Sequence, residues 1–233
     1  MTITLEICVG TLEDVKTCSK FPVDRIELTS CLELGGLTPT LGFLKEAKAI
    51  TNIPMACMVR PHANGFVYSD HDIKAMMSDA KYLLEAGADS IVFGFLNPDN
   101  TVNKERTIEM VNLIHSYHKE AAFHKAIDQT ENFKEAINVL IEAKVDRVLT
   151  EGGYNKSVQA KRETLRWLVE HHDHELKCLM GGGVRSENVL DIIKDTKTTQ
   201  VHSSCRIVNE VGGLELTSVD PIKLDALIKV LGK

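Results

Sequence analysis

Val23 to Ser30 reads VDRIELTS, Ala88 to Gly94 reads ADSIVFG and Val145 to Gly152 reads VDRVLTEG, and these three stretches decide the fold. Each is a short, β-branched, apolar run opened by an aspartate, and Asp24, Asp89 and Asp146 stand 65 and 57 residues apart. Short β-type runs alternate with helical patterns along the whole chain, the signature of βα units on a parallel sheet. Each interval between the aspartates holds two such units. A closed barrel places alternate strands in equivalent layers, so likeness among the second, fourth and sixth strands is what eightfold packing produces. A doubly wound open sheet is the alternative, but it gives no reason for a two-unit period. The expectation is an α/β protein forming a single (βα)8 TIM-type barrel domain over residues 1–233.

The strands are expected at Ile3–Val9, Arg25–Thr29, Met55–Arg60, Ser90–Phe95, Ala121–Ala126, Arg147–Thr150, Leu176–Met180 and Gln200–Ser203. Helix starts are marked by Thr11, Thr38 before Pro39, Ser69, Asn103, Thr130, Ser157, Ser186 and Asp220 before Pro221, and Gly87 ends the third helix. Leu176 to Asn188, LKCLMGGGVRSEN, runs from strand into three glycines and then a helix start. Backbone N–H groups of Gly182 and Gly183 can approach an anion closely, with the positive end of the helix facing the same space. The glycines equally well serve only the turn. Barrels commonly hold phosphate with the loops after strands seven and eight, and Ser203 and Ser204 supply donors there.

Composition narrows the partners. A formal net charge of −6 argues against a general nucleic-acid binder. No run approaches the roughly 20 apolar residues of a spanning helix, and Met1 to Val9 lacks the pattern of a secretory leader, so no membrane role and a cytoplasmic location are expected. The six cysteines lack C-x-x-C spacing and are expected as thiols.

Strand alternation selects the inward residues. In RIELT, Arg25, Glu27 and Thr29 share one face; Glu6 and Cys8 share one in the first strand; Arg60 closes the third, His124 lies in the fifth ahead of Asp128, and His202 belongs to the eighth. Charged groups inside a barrel are costly unless paired or functional. Glu6 and Arg25, low in the barrel, suit a structural ion-pair layer. Glu27, Arg60, His124, Asp128 and His202 are the catalytic candidates: a histidine beside a carboxylate exchanges protons near neutrality, and Arg60 can clamp a carboxylate or phosphate. Lys125 is expected to turn away from the mouth, which disfavours Schiff-base chemistry. His171, His172 and His174 read as a solvated helix end, and His115 with His118 lacks a third ligand.

The motifs LEICV (5–9), DRIELTS (24–30), LGGLTP (34–39), MVRPHANGFVYSD (58–70), FHKAID (123–128), GGGV (181–184) and VHSSCR (201–206) make the chain resemble the CutC family, described as copper homeostasis proteins. The resemblance covers essentially the whole chain and implies a TIM-type barrel, a homo-oligomer, and handling of Cu(I) in the cytoplasm, for which thiolates are suitable ligands. Family members often carry a cysteine at Cys8 and a second in ELCS, which here reads ELTS, so Thr29 replaces it. Cys31 or Cys205 is then the candidate partner of Cys8. RPRGG becomes RPHANG and FHRAFD becomes FHKAID. Beside the copper reading stands a second: an enzyme acting on a small phosphorylated or carboxylated metabolite at the C-terminal mouth, held by Arg60 and the glycine loop, with no organic cofactor evident.

Overall fold

The structure, a computed structural model, describes residues 2–154, 156–211 and 214–233, and for 208–211 and 214–216 the backbone alone. Eight parallel strands close into a barrel in sequence order: β1 (Thr4–Val9), β2 (Arg25–Leu28), β3 (Met55–Met58), β4 (Ser90–Phe93), β5 (Glu120–Phe123), β6 (Arg147–Thr150), β7 (Lys177–Met180) and β8 (Gln200–Ser203). The ring shuts where β1 pairs with β8, Glu6 opposite His202. A two-stranded antiparallel hairpin, β9 (Arg206–Val211) and β10 (Leu214–Val219), follows.

Helices α1 (Leu12–Cys18), α2 (Leu41–Ile50), α3 (Asp70–Glu85), α4 (Lys104–Ser116), α5 (Phe133–Glu142), α6 (Val158–His172), α7 (Val189–Thr196) and α8 (Pro221–Leu231) form the outer layer. The main core lies between strands and helices and holds the outward strand residues Ile7, Ile26, Cys57, Ile91, Phe123, Val148, Cys178 and Val201. These side chains alternate with the inward ones, as the pleat requires.

The repeated aspartates have a structural reason. Asp24 accepts the N–H of Leu5 (2.6 Å), Asp89 that of Met55 (2.9 Å) and Asp146 that of Ala121 (2.7 Å). Each carboxylate entering an even strand thus satisfies a donor at the start of the preceding odd strand. Lys233 pairs with Asp24, Lys48 and Lys119 pair with Asp89, and His115 Nε2 lies 2.8 Å from Asp146 Oδ2. The signature belongs to the N-terminal face of the barrel, which serves stability.

Five of the expected helix starts hold, with capping boxes at Thr11 and Ser69. Three move. Thr40 replaces Thr38, whose hydroxyl instead accepts the N–H of Arg60 (2.9 Å). Asn132 replaces Thr130, whose hydroxyl donates to Ile127 in a 3-10 turn, Lys125–Gln129. Asn188 replaces Ser186, its side chain accepting from Arg185 N–H and donating to Gly183 O. Strands three, four and five stop at Met58, Phe93 and Phe123, short of their expected ends.

Inside the barrel the side chains fall into layers. The even strands put Arg25, Ser90, Arg147 and Gln200 at the bottom, where Gln200 accepts from both Arg147 (2.9 Å) and Arg25 (3.3 Å). Glu6, Ala56, Ala122 and Leu179 follow from the odd strands, then Glu27, Val92, Leu149 and His202 from the even ones. Cys8 and Met58 come last. Above the bottom layer, where Arg147 of β6 also carries charge, the charged strand residues lie on the β8–β1–β2 side, and Ala56, Met58, Val92 and Ala122 pack as a small apolar cluster opposite.

Candidate functional site

The C-terminal mouth opens into a cavity of about 880 Å³. Of the candidates read from the sequence, Glu27, Arg60, His124 and His202 line it, as do Gly182, Gly183, Ser203 and Ser204, and the thiols Cys8 and Cys205. Asp128 and Cys31 do not.

On the β8–β1–β2 side a chain of ionisable groups runs up from the barrel floor. Arg25 is ion-paired with Glu6 through its Nε, and Glu6 Oε1 holds His202 Nδ1 at 2.7 Å. His202 Nε2 is left facing Glu27 Oε2 at 3.9 Å. Burial tends to raise the Glu6 pKa, but the Arg25 charge and the bonds from His202 and Arg25 outweigh it and bring it to about 2. Glu6 is therefore a fixed anion. Burial lowers the basicity of His202, yet the bond to Glu6 and the charge of Glu27 leave its pKa raised. Glu27 is raised by burial and by Glu6, against the opposing pull of His202. Its Oε1 is buried without a hydrogen-bond partner.

Across the mouth, Arg60 follows β3 and is 6% exposed. Its Nη1 donates to Leu34 O and Gly36 O, each at 3.1 Å, its guanidinium lies 5.0 Å from the Phe66 ring, and its Nε is buried and unpartnered. His124 follows β5, and its Nδ1 accepts the N–H of Ala126 at 3.2 Å. That bond leaves the proton on Nε2, which is also buried and unpartnered. Burial, reinforced by the Arg60 charge, holds the His124 pKa at about 3. His124 is thus a neutral N–H donor rather than the proton shuttle expected from its residue type.

Asp128, expected at the mouth, is instead a buried clamp on the loop after β6. It accepts from Thr150 Oγ1 (2.5 Å), Glu151 N (3.1 Å) and Gly153 N (2.8 Å). Lys125, expected to turn away, lines the cavity and pairs with Glu151 Oε2 at 2.9 Å, because β5 ends at Phe123 and the 3-10 turn resets the alternation.

Gly182 and Gly183 have φ of +87° and +77°, left-handed values that suit glycine. At Gly182 a Cβ would also stand 2.6 Å from Glu151 Oε2. The Ser203 hydroxyl donates to Val184 O at 2.8 Å, so it secures the glycine loop. Helix α7 begins only at Val189, two residues later than expected from a cap at Ser186. Arg185, Arg206 and Lys223 add cations to this side of the cavity. Sequence reasoning missed them, although Arg185 directly follows GGGV. The hairpin that brings Arg206 was missed altogether.

The cysteine grouping also differs from expectation. Cys31 is exposed and sits in a left-handed turn at the end of strand pairing, φ +51°, where alternation no longer aims side chains inward. Cys205 lies against Ser203 Oγ at 3.5 Å. Cys8 is gathered with Glu27 and His202, one ligand atom of each within 4.8 Å of the others. Among the described residues no other group of three such side chains could hold a metal ion. Burial, and then the Glu27 charge, raise the Cys8 pKa well above the ordinary thiol value.

The sequence model of the CutC family matches residues 3–207. A CutC family protein of Treponema denticola is 38% identical over 200 residues, covering 86% of this chain and 80% of that one. One of Glaesserella parasuis is 36% identical over 202 residues, covering 87% and 82%. Among solved structures, the putative copper homeostasis protein CutC of Streptococcus agalactiae superposes with a TM-score of 0.81 at 29% identity, covering 87% of this chain and 99% of that one. Phosphoribosyl anthranilate isomerase of Thermococcus kodakaraensis, at 14% identity and a TM-score of 0.63 over 99% of each chain, shares the fold.

Proposed function

The chain belongs to the CutC family, and from that premise we propose that this member is an enzyme whose barrel mouth takes a small phosphorylated or carboxylated metabolite. One observation carries the reading. Glu27, Arg60 and His124, each more than nine-tenths buried, line a single cavity, and each keeps a buried polar atom without a partner. Buried polar groups are as a rule satisfied, and although Tyr68, Ser90, Arg147, His172 and Thr217 also keep an unpartnered buried atom, among the described residues only these three orphans belong to residues lining the cavity, which suits a ligand that satisfies them.

The roles follow from the geometry. Arg60, braced by two backbone carbonyls, presents its remaining donors to an acidic group of the substrate. His124 Nε2–H donates to a carbonyl oxygen and favours charge developing there. Glu27, with its raised pKa, exchanges a proton with the substrate, and His202, oriented by Glu6, supports the exchange. A second acidic group lies toward Gly182, Gly183 and Ser204, near Arg185, Arg206 and Lys223. Thermal unfolding against millimolar phosphate and small phosphorylated or dicarboxylic acids tests this. A rise in melting temperature that Arg60→Gln removes supports the reading, and no rise in the unmodified protein sinks it.

A second reading is favoured by the presence of Cys8 beside His202 and by the description of the Streptococcus agalactiae relative. Here Cu(I) is cargo bound through Cys8 in the cytoplasm, where thiols stay reduced. It ranks second because a single thiolate is a poor set for a soft ion. Competition against a Cu(I) chelator decides it: unchanged affinity in the Cys8→Ser, Cys31→Ser double variant removes the copper role.

A further inference from the structure

The atoms at the floor of the mouth point to a different ion. We propose that Cys8, Glu27 and His202 form a site for one borderline divalent transition-metal ion of the Zn²⁺ class, rather than for Cu(I). The inference amends the reading above in one respect: Glu27 and His202 cannot ligate an ion and exchange the substrate's proton at once, so the ligand role replaces the proton-exchange role given to them there, while Arg60, His124 and the glycine loop keep theirs.

The donor set is the first argument. One thiol sulfur, one imidazole nitrogen and one carboxylate oxygen are the three kinds of ligand that Zn²⁺ accepts together, whereas Cu(I) selects soft sulfur. Three protein ligands beneath an open cavity leave a fourth position for water or a substrate oxygen, the arrangement of catalytic rather than structural zinc. The ligand atoms lie within 4.8 Å of one another. A tetrahedral edge is roughly 3.5 Å for bonds of about 2.0–2.3 Å, so binding requires a closure of about an ångström.

Two features outside the donor list support the site. His202 Nδ1 is engaged by Glu6 at 2.7 Å, which leaves Nε2 for the cluster. A carboxylate behind a ligating imidazole fixes the ring orientation and raises its basicity, and Glu6 is itself held by Arg25. Glu27 is 3% exposed, and its Oε1 is buried without a hydrogen-bond partner. A cation would satisfy it. Without one, Cys8 is a buried thiol beside a carboxylate, a poor place for a thiolate; binding M²⁺ displaces the thiol proton to solvent and leaves an ion pair in its place.

Cobalt is the probe. Metal-stripped full-length protein titrated with Co²⁺ is expected to take up one equivalent per chain and to develop a near-ultraviolet thiolate-to-cobalt charge-transfer band. Zn²⁺ should discharge that band stoichiometrically. Cys8→Ser should abolish the band, and Glu27→Gln should weaken zinc affinity at least about tenfold in a chelator competition. Cys57→Ser, a buried thiol in the outer core, should change neither. Circular dichroism melts confirm that each variant is folded, and Glu27→Gln serves should Cys8→Ser not fold. No uptake by the unmodified protein overturns the proposal, as does a full charge-transfer band in Cys8→Ser or unchanged affinity in Glu27→Gln. Phosphate stabilisation reads the anion-binding mouth separately, so loss of either result leaves the other standing.

Discussion

Replacing His124 by glutamine should flatten the acid dependence of stability between about pH 7.5 and pH 5. Burial and the neighbouring Arg60 hold the His124 pKa at about 3, against the ordinary imidazole value of 6.5 expected when the chain unfolds. Because the folded value is the lower one, the unfolded chain takes the proton first, and stability falls as pH drops from 6.5 toward 3. At about pH 5 the unfolded histidine is favoured by about 1.5 pH units of proton binding, which at 1.36 kcal/mol per unit is about 2 kcal/mol. At about pH 7.5 the same quantity is near zero. Glutamine retains an acceptor for Ala126 N–H and a donor toward the cavity but does not titrate. Urea denaturation of both proteins at the two pH values should give a wild-type loss exceeding that of His124→Gln by about 2 kcal/mol. Groups common to both proteins cancel in the difference. Parallel behaviour of the two would refute the burial argument, and with it the neutral donor role assigned to Nε2–H.

Glu6→Gln removes the anion shared by Arg25 and His202 and should cost about 3–5 kcal/mol in the same denaturation assay. With a folded pKa of about 2 against the ordinary glutamate value of 4.5, the contribution of Glu6 is full above 4.5 and disappears as pH falls toward 2. Asp128→Ala strands the Thr150 hydroxyl and two backbone N–H groups and should cost about 3 kcal/mol while leaving the phosphate-induced rise in melting temperature intact. Loss of that rise would return Asp128 to the binding machinery. Light scattering at micromolar concentration should report a homo-oligomer, as the family resemblance implies, and a monomer would remove that expectation.

The barrel was legible because its signal is periodic and redundant. Asp24, Asp89 and Asp146 recur at a two-unit interval because each closes the same gap at the entry to a strand. Strand parity also brought out Glu27 and His202, since both lie within regular strands and share one layer. Legibility failed where strands end. Cys31 and Lys125 lie beyond the last paired residue, where a left-handed turn or a 3-10 turn replaces the period of two. Asp128 was misplaced for another reason: its residue type suits a catalytic carboxylate and a loop clamp equally, and only the three donors around it decide. The β9–β10 hairpin escaped because its strands sit between a barrel strand and a helix, where the repeat pattern leads the eye directly from one to the other.

The bond between Glu6 and His202 joins residues 196 positions apart, across the seam where the ring closes. During synthesis Glu6 emerges long before its partner, which arrives only when the eighth strand has been made. Until then Glu6 has Arg25 alone, the mouth lacks its β8 wall, and the glycine loop lacks the Ser203 hydroxyl that secures it. Closing so long a loop carries an entropy that is recovered only on pairing β1 with β8. A nascent or truncated chain can build most of the strands and helices and still have no binding site. On the reading proposed above, ligand capture would double as a report that the ring has shut.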